Sequence, residues 1–136
     1  MLGNGDGTFH GPITTFVSGL SGLAVGDFNG DGKVDFAAGE ALGGFSLVGI
    51  FLGNGDGTFQ TGPTYPIGDL PEAVVVGDFN GDKREDLAIA TLFGGINVLL
   101  GNGNGTFKPL RPIRPTVVAG IGSRPATSTE MASLTW

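Results

Sequence analysis

The stretch Gly26-Asp27-Phe28-Asn29-Gly30-Asp31-Gly32-Lys33-Val34-Asp35 returns 51 positions later (26 to 77) as Gly77-Asp78-Phe79-Asn80-Gly81-Asp82-Lys83-Arg84-Glu85-Asp86. Oxygen-bearing side chains stand at alternate positions, Asp27, Asn29 and Asp31, and then at Asp35; Asp78, Asn80, Asp82 and Asp86 repeat the spacing. In a tightly curled loop this alternation turns the oxygens toward one centre and the intervening residues away. Three carboxylates, an amide oxygen, a backbone carbonyl and water make a ligand set for Ca2+, a hard cation that takes about 6–8 oxygens at roughly 2.3–2.6 Å. The carbonyls are expected from Lys33 and Arg84. Each copy therefore reads as one Ca2+ site, two in all.

The flanks decide what the loops connect. Each loop starts like an EF-hand, D-x-[DN]-x-[DN]-G, but its closing acid comes at the ninth position instead of the twelfth. The runs before it, Leu23-Ala24-Val25 and Ala73-Val74-Val75-Val76, are short and mostly apolar. So are the runs that follow, Asp35-Phe36-Ala37-Ala38 and Asp86-Leu87-Ala88-Ile89-Ala90. Such brief runs make strands, not helices, so each loop joins two strands.

The composition agrees. The 27 glycines and 8 prolines among 136 residues call for many tight turns. A mean hydropathy of +0.20 with 15% charged residues is unlike a chain that cannot bury a core. The net charge of −6 argues against nucleic acid, whose phosphates need clustered cations. Asp27, Asp31, Asp35, Asp78, Asp82, Glu85 and Asp86 are seven of the 13 acids, so the acidity is concentrated in the two loops. With no cysteine there is neither a disulfide framework nor a cysteine zinc site. Met1 leads straight into Leu2-Gly3-Asn4-Gly5 with no signal peptide, and no run of 18 apolar residues spans a membrane.

A second repeat interleaves with the first: Leu2-Gly3-Asn4-Gly5-Asp6-Gly7-Thr8-Phe9, Leu52-Gly53-Asn54-Gly55-Asp56-Gly57-Thr58-Phe59 and Leu100-Gly101-Asn102-Gly103-Asn104-Gly105-Thr106-Phe107. A period of about 40–50 residues with several short strands per unit is the mark of a propeller blade. The glycines supply the positive φ angles of hairpin turns. One unit then reads as strands at 22–28, 33–39, 45–52 and 57–67, and the next as 73–79, 84–92, 96–101 and 105–113. The fold expected is all-β: a partial β-propeller with two complete four-stranded antiparallel blades, 21–68 and 69–114, and an incomplete third. Residues 1–20 carry that blade's outer strand, at 8–18.

The two motifs together, G-D-F-N-G-D-x-x-x-D and L-G-N-G-[DN]-G-T-F, resemble the FG-GAP or VCBS repeat family, bacterial relatives of the integrin α-chain propeller. The resemblance covers residues 2–107. It implies four-stranded blades, Ca2+ in the first loop of each, and an extracellular or surface-attached parent protein with protein or glycan ligands. One position departs from the pattern: Lys83 stands where the first loop has Gly32. A positive φ there costs a side chain on the order of 1 kcal/mol, so the second loop is expected to bind Ca2+ more weakly.

The pattern stops after Phe107. Residues 108–136 hold four cations and one acid, against three cations and twelve acids before them. No Asp loop appears near 126–127, where a third is due. Yet codons permitted for Ala126–Trp136, with the wobble bases chosen to suit, spell DFNGDGKLDL when read two nucleotides on. A reading frame that slips between about 108 and 118 explains this, leaving 115–136 as an off-pattern, frame-shifted tail, and the gene's nucleotide sequence tests it.

The remaining candidates carry less. The Asn-Gly-Asp-Gly turns serve hairpin geometry, and Asn104 in place of Asp6 and Asp56 speaks against a further cation site. Asn104-Gly105-Thr106 matches a glycosylation sequon but lies inside such a turn. His10 is the one histidine, so no His-based triad or zinc cluster forms. The close carboxylate pairs belong to the Ca2+ loops, and no catalytic residue is assigned. Phe9, Phe28, Phe59, Phe79 and Phe107 recur in register and read as contacts between blades. The expected function is a calcium-binding, non-catalytic interaction or adhesion scaffold, prone to self-association through its open blade faces. Rival readings are a lectin-like module, an accessory piece of a secreted polysaccharide-active enzyme, and a nonfunctional gene remnant.

Overall fold

The structure is a computed structural model and describes residues 1–109. Strand formation follows the loops. Asp27 and Asp78 curl the chain and stop the strands before them; Asp35 and Asp86 anchor the strands that follow. The elements are β1 (Leu20–Gly26), β2 (Asp35–Leu42), β3 (Phe45–Gly53), β4 (Phe59–Pro66), β5 (Pro71–Gly77), β6 (Asp86–Thr91), β7 (Ile96–Gly101) and β8 (Phe107–Pro109). They form two four-stranded antiparallel sheets, β1-β2-β3-β4 and β5-β6-β7-β8, each a meander in chain order. The described residues contain no helix.

All eight expected strands of the two sheets are present, with shifted ends. β1 and β5 end at Gly26 and Gly77, because Asp27 and Asp78 already belong to the loops. β8 reaches the last described residue, and the rest of the strand expected to 113 lies outside the described residues, as does the tail with its proposed frame slip. Segment 8–18 differs from expectation: instead of a strand it shows one bridge, Gly3 to Phe9, that closes the first glycine turn. A strand persists only against a neighbour that takes its N–H and C=O groups. Segment 8–18 has no such neighbour among the described residues.

The two sheets pack face to face, with β5 lying against β1 and β2. Alternation along each strand sends one set of side chains inward. From the first sheet come Ala37, Val48, Ile50 and, between the strands, Phe28; from the second come Val74, Leu87, Ile89, Leu99 and Phe107. Ile50, Leu87 and Ile89 are fully buried, and each such side chain contributes about 1.5–3 kcal/mol. Phe28 meets Phe107 edge-on at 5.5 Å, and Phe107 meets Tyr65 at 6.0 Å. Tyr65 accepts a hydrogen bond from the Phe107 amide at 2.7 Å, tying β4 to β8.

The far face of the first sheet has its own smaller cluster. Phe36 stacks on Phe51 at 4.5 Å and meets Phe59 edge-on at 4.7 Å, with Val17 packed over them. Of the recurrent phenylalanines, Phe28 and Phe107 make the inter-sheet contact, whereas Phe9 and Phe79 are exposed. Glu40 lies buried on the same far face, beside Gly49. Burial pushes its carboxyl above the ordinary glutamate value. The folded state thus favours the protonated acid, and that contribution is complete below about pH 4.5 and fades as pH rises through the raised value. Glu40→Gln is therefore expected to raise Tm at neutral pH and to lose its advantage in acid; an equal gain at both pH values contradicts this.

Candidate metal centre

The first loop is built around its own backbone. Asp27 Oδ1 accepts from the Gly30 and Asp31 amides at 2.9 and 3.1 Å, and Oδ2 from Gly32 at 2.9 Å. Asn29 Oδ1 accepts from the Asp31 amide at 3.0 Å, and Asp31 Oδ1 from Lys33 at 2.9 Å. The second loop repeats this bond for bond. Asp78 takes the Gly81, Asp82 and Lys83 amides at 2.7, 3.1 and 2.8 Å. Asn80 takes Asp82 at 3.1 Å, and Asp82 takes Arg84 at 2.9 Å.

The closing acids go inward. Asp35 and Asp86 are fully buried. Asp35 accepts from the Phe28 and Gly53 amides, both at 2.8 Å; Asp86 accepts from Phe79 and Gly101 at 2.9 and 2.8 Å. Each ties its loop to the glycine turn of its own sheet. Glycine is required at Gly53 and Gly101 because a Cβ there would collide with the Val34 and Glu85 carbonyls. Hydrogen bonds from loop amides hold two exposed acids in the charged form: the Lys33 N–H lowers the Asp31 carboxyl, and the Lys83 N–H lowers that of Asp78.

Structure and expectation meet only in part. Asp27, Asn29, Asp31 and Asp35 share one loop, as do Asp78, Asn80, Asp82 and Asp86. Among the described residues, however, no three His, Cys, Asp or Glu side chains converge as a metal cage. Lys33 and Arg84, expected to give carbonyls, donate their N–H groups to Asp31 and Asp82, which leaves their carbonyl oxygens out of these bonds. The donor chemistry still suits Ca2+. A carboxylate has about four lone-pair positions; Asp27 and Asp78 use three for amides, Asp35 and Asp86 two. Asp27 and Asp78 therefore each keep a lone-pair position to offer a cation, whereas Asp35 and Asp86 are closed off by burial.

Lys83 is the one non-glycine residue with positive φ among the described residues, at 66°, against 79° for Gly32. Open space surrounds the Gly32 Cβ direction, so the backbone angle alone sets the difference. Lys83→Gly is expected to stabilise the chain by about 1 kcal/mol and Gly32→Lys to cost as much. Urea unfolding of both variants checks the sign, and two changes of the same sign refute it.

One inter-sheet contact was not legible in the motif. Glu85 of the second loop accepts a hydrogen bond from the Asp27 amide of the first at 2.7 Å. The clue lies in the repeat itself, since Val34 occupies the matching place in the first loop. Nearby, the Phe28 carbonyl accepts from the Gly105 amide at 2.8 Å. The three glycine turns match one another: Asp6, Asp56 and Asn104 each accept from the amide and hydroxyl of the threonine two residues on. Asn104 therefore replaces the acid without loss to the turn.

Two consecutive four-stranded antiparallel meanders, each opened by the same Asp loop and tied to the same glycine turn, define a β-repeat protein. The FG-GAP-like repeat family matches at residues 41–89 and 78–129, more than half of the chain, and the chain belongs to that family. No curated protein and no solved structure matches it. No helix among the described residues is long and apolar enough to cross a membrane.

Proposed function

We propose that the chain is a calcium-stabilised, non-catalytic scaffold module of a β-propeller, carried by an exported or surface-attached protein and contributing to adhesion or ligand presentation. The observation that supports it most is the pair of fully buried carboxylates, Asp35 and Asp86, at matching places and partnered by N–H groups alone. Each closes a loop whose other oxygen-bearing side chains, Asp27, Asn29 and Asp31 or Asp78, Asn80 and Asp82, stand at alternate positions, and oxygens are the ligands that Ca2+ takes. Asp27, Asn29 and Asp31 would hold the first cation and Asp78, Asn80 and Asp82 the second. Bound Ca2+ would neutralise the loop acids and rigidify the link between consecutive strands. Thermal unfolding in EGTA and in rising Ca2+ tests this. Ca2+ should raise Tm steadily, since a ligand held only by the folded state stabilises by about 2.7 kcal/mol at a hundred times its Kd. A Tm indifferent to both additions overturns the reading.

A further inference from the structure

We infer that the chain carries the two halves of one interface on opposite outer faces, and that a second copy docks head to tail across them. The internal junction supplies the template. There, Ala24, Phe28, Ala37, Val48, Ile50 and Leu52 of the first sheet meet the second. Their repeat counterparts in the second sheet are Val75, Phe79, Ala88, Ile96, Val98 and Leu100, on its outer face. Val75, Phe79 and Ile96 are 54%, 52% and 46% exposed. The other half of the junction is Val74, Val76, Leu87, Leu99 and Phe107. Its counterparts, Leu23, Val25, Phe36, Phe51 and Phe59, form the outer face of the first sheet. Leu23 and Val25 are 51% and 58% exposed and line a cleft of about 470 Å³ with Phe36 and Phe59.

The N-terminal turn shows that this outer face accepts such a partner. At the internal junction Leu52 lies against Gly105. On the outer face Leu2, which opens the first copy of the same motif, lies against Gly57 in the same way, with Ile13 beside it. Part of the missing neighbour's contact is thus already made by residues of the chain itself. In the docked pair, Leu100 of the second copy takes the place of Leu2 on Gly57. Because the two faces differ, the contact is heterologous: it grows into closed rings or open chains, not a two-fold dimer.

Sedimentation velocity from about 1 to 100 μM reads this directly. The parent chain should associate with concentration, in EGTA as well as in Ca2+, so that failure of the cation reading leaves this result standing. Val75→Asp and Leu23→Asp, both at exposed positions and checked for retained β-structure by circular dichroism, should each weaken self-association at least about tenfold. An equimolar mixture of the two should recover a two-copy complex and nothing larger, since each variant keeps the face the other has lost. Leu2→Ser, which loosens the resident turn, should tighten association of the otherwise unaltered chain. A parent chain that stays monomeric across the range, or a mixture of variants that stays monomeric, overturns the inference.

Discussion

Asp35→Ala is expected to lower the unfolding free energy by about 3 kcal/mol or more, a large fraction of the 5–15 kcal/mol typical of a domain. The side chain is fully buried and accepts from two backbone amides at 2.8 Å. Alanine leaves both donors without partners in a site closed to water, at about 1–3 kcal/mol each. Asp35→Asn should fall between, because one carboxamide oxygen still accepts while its NH2 group faces a second N–H. The measurement is urea unfolding at neutral pH in EGTA, where no cation contributes. A loss under about 1 kcal/mol contradicts the assigned role. Asp86→Ala should behave alike, given the same two bonds in the second sheet.

Leu87→Ala is expected to cost about 2–5 kcal/mol, toward the upper part of that range. Leu87 is fully buried among side chains from both sheets, including Ile50 and Val48 from the first. Each sheet is held at its own spacing by its ladders, so the cavity cannot collapse without breaking backbone hydrogen bonds. Val75→Ala, one strand away on the exposed face, should change stability by no more than about 0.5 kcal/mol. Equal effects at the two positions would mean that the sheets do not share a core.

Both residues expose what the sequence reveals and what it hides. The strand order was legible because the Asp loop and the glycine turn punctuate each unit at fixed offsets, and the apolar runs between them are too short for helices. The loop oxygens were legible as a set, but not their engagement by backbone amides. That engagement depends on how tightly the chain curls, and Lys83 keeps the required φ of 66° at a cost of about 1 kcal/mol. Segment 8–18 misled because a place in the repeat says nothing about whether a neighbouring strand is at hand. Glu85 escaped because its partner, Asp27, lies 58 positions away in another sheet, and pairing across sheets leaves no local pattern.

The asymmetry between Glu85 and Val34 gives the two units a fixed order. Within the chain, Glu85 caps the Asp27 amide across the junction. When a second copy docks, its Asp78 amide faces Val34, which has no side-chain acceptor to offer. A foreign neighbour therefore lacks one charge-assisted hydrogen bond that the covalent neighbour supplies, worth about 1.5–3 kcal/mol. The junction inside the chain is therefore stronger than the one between copies, and an assembly built head to tail parts between its molecules before it parts within them.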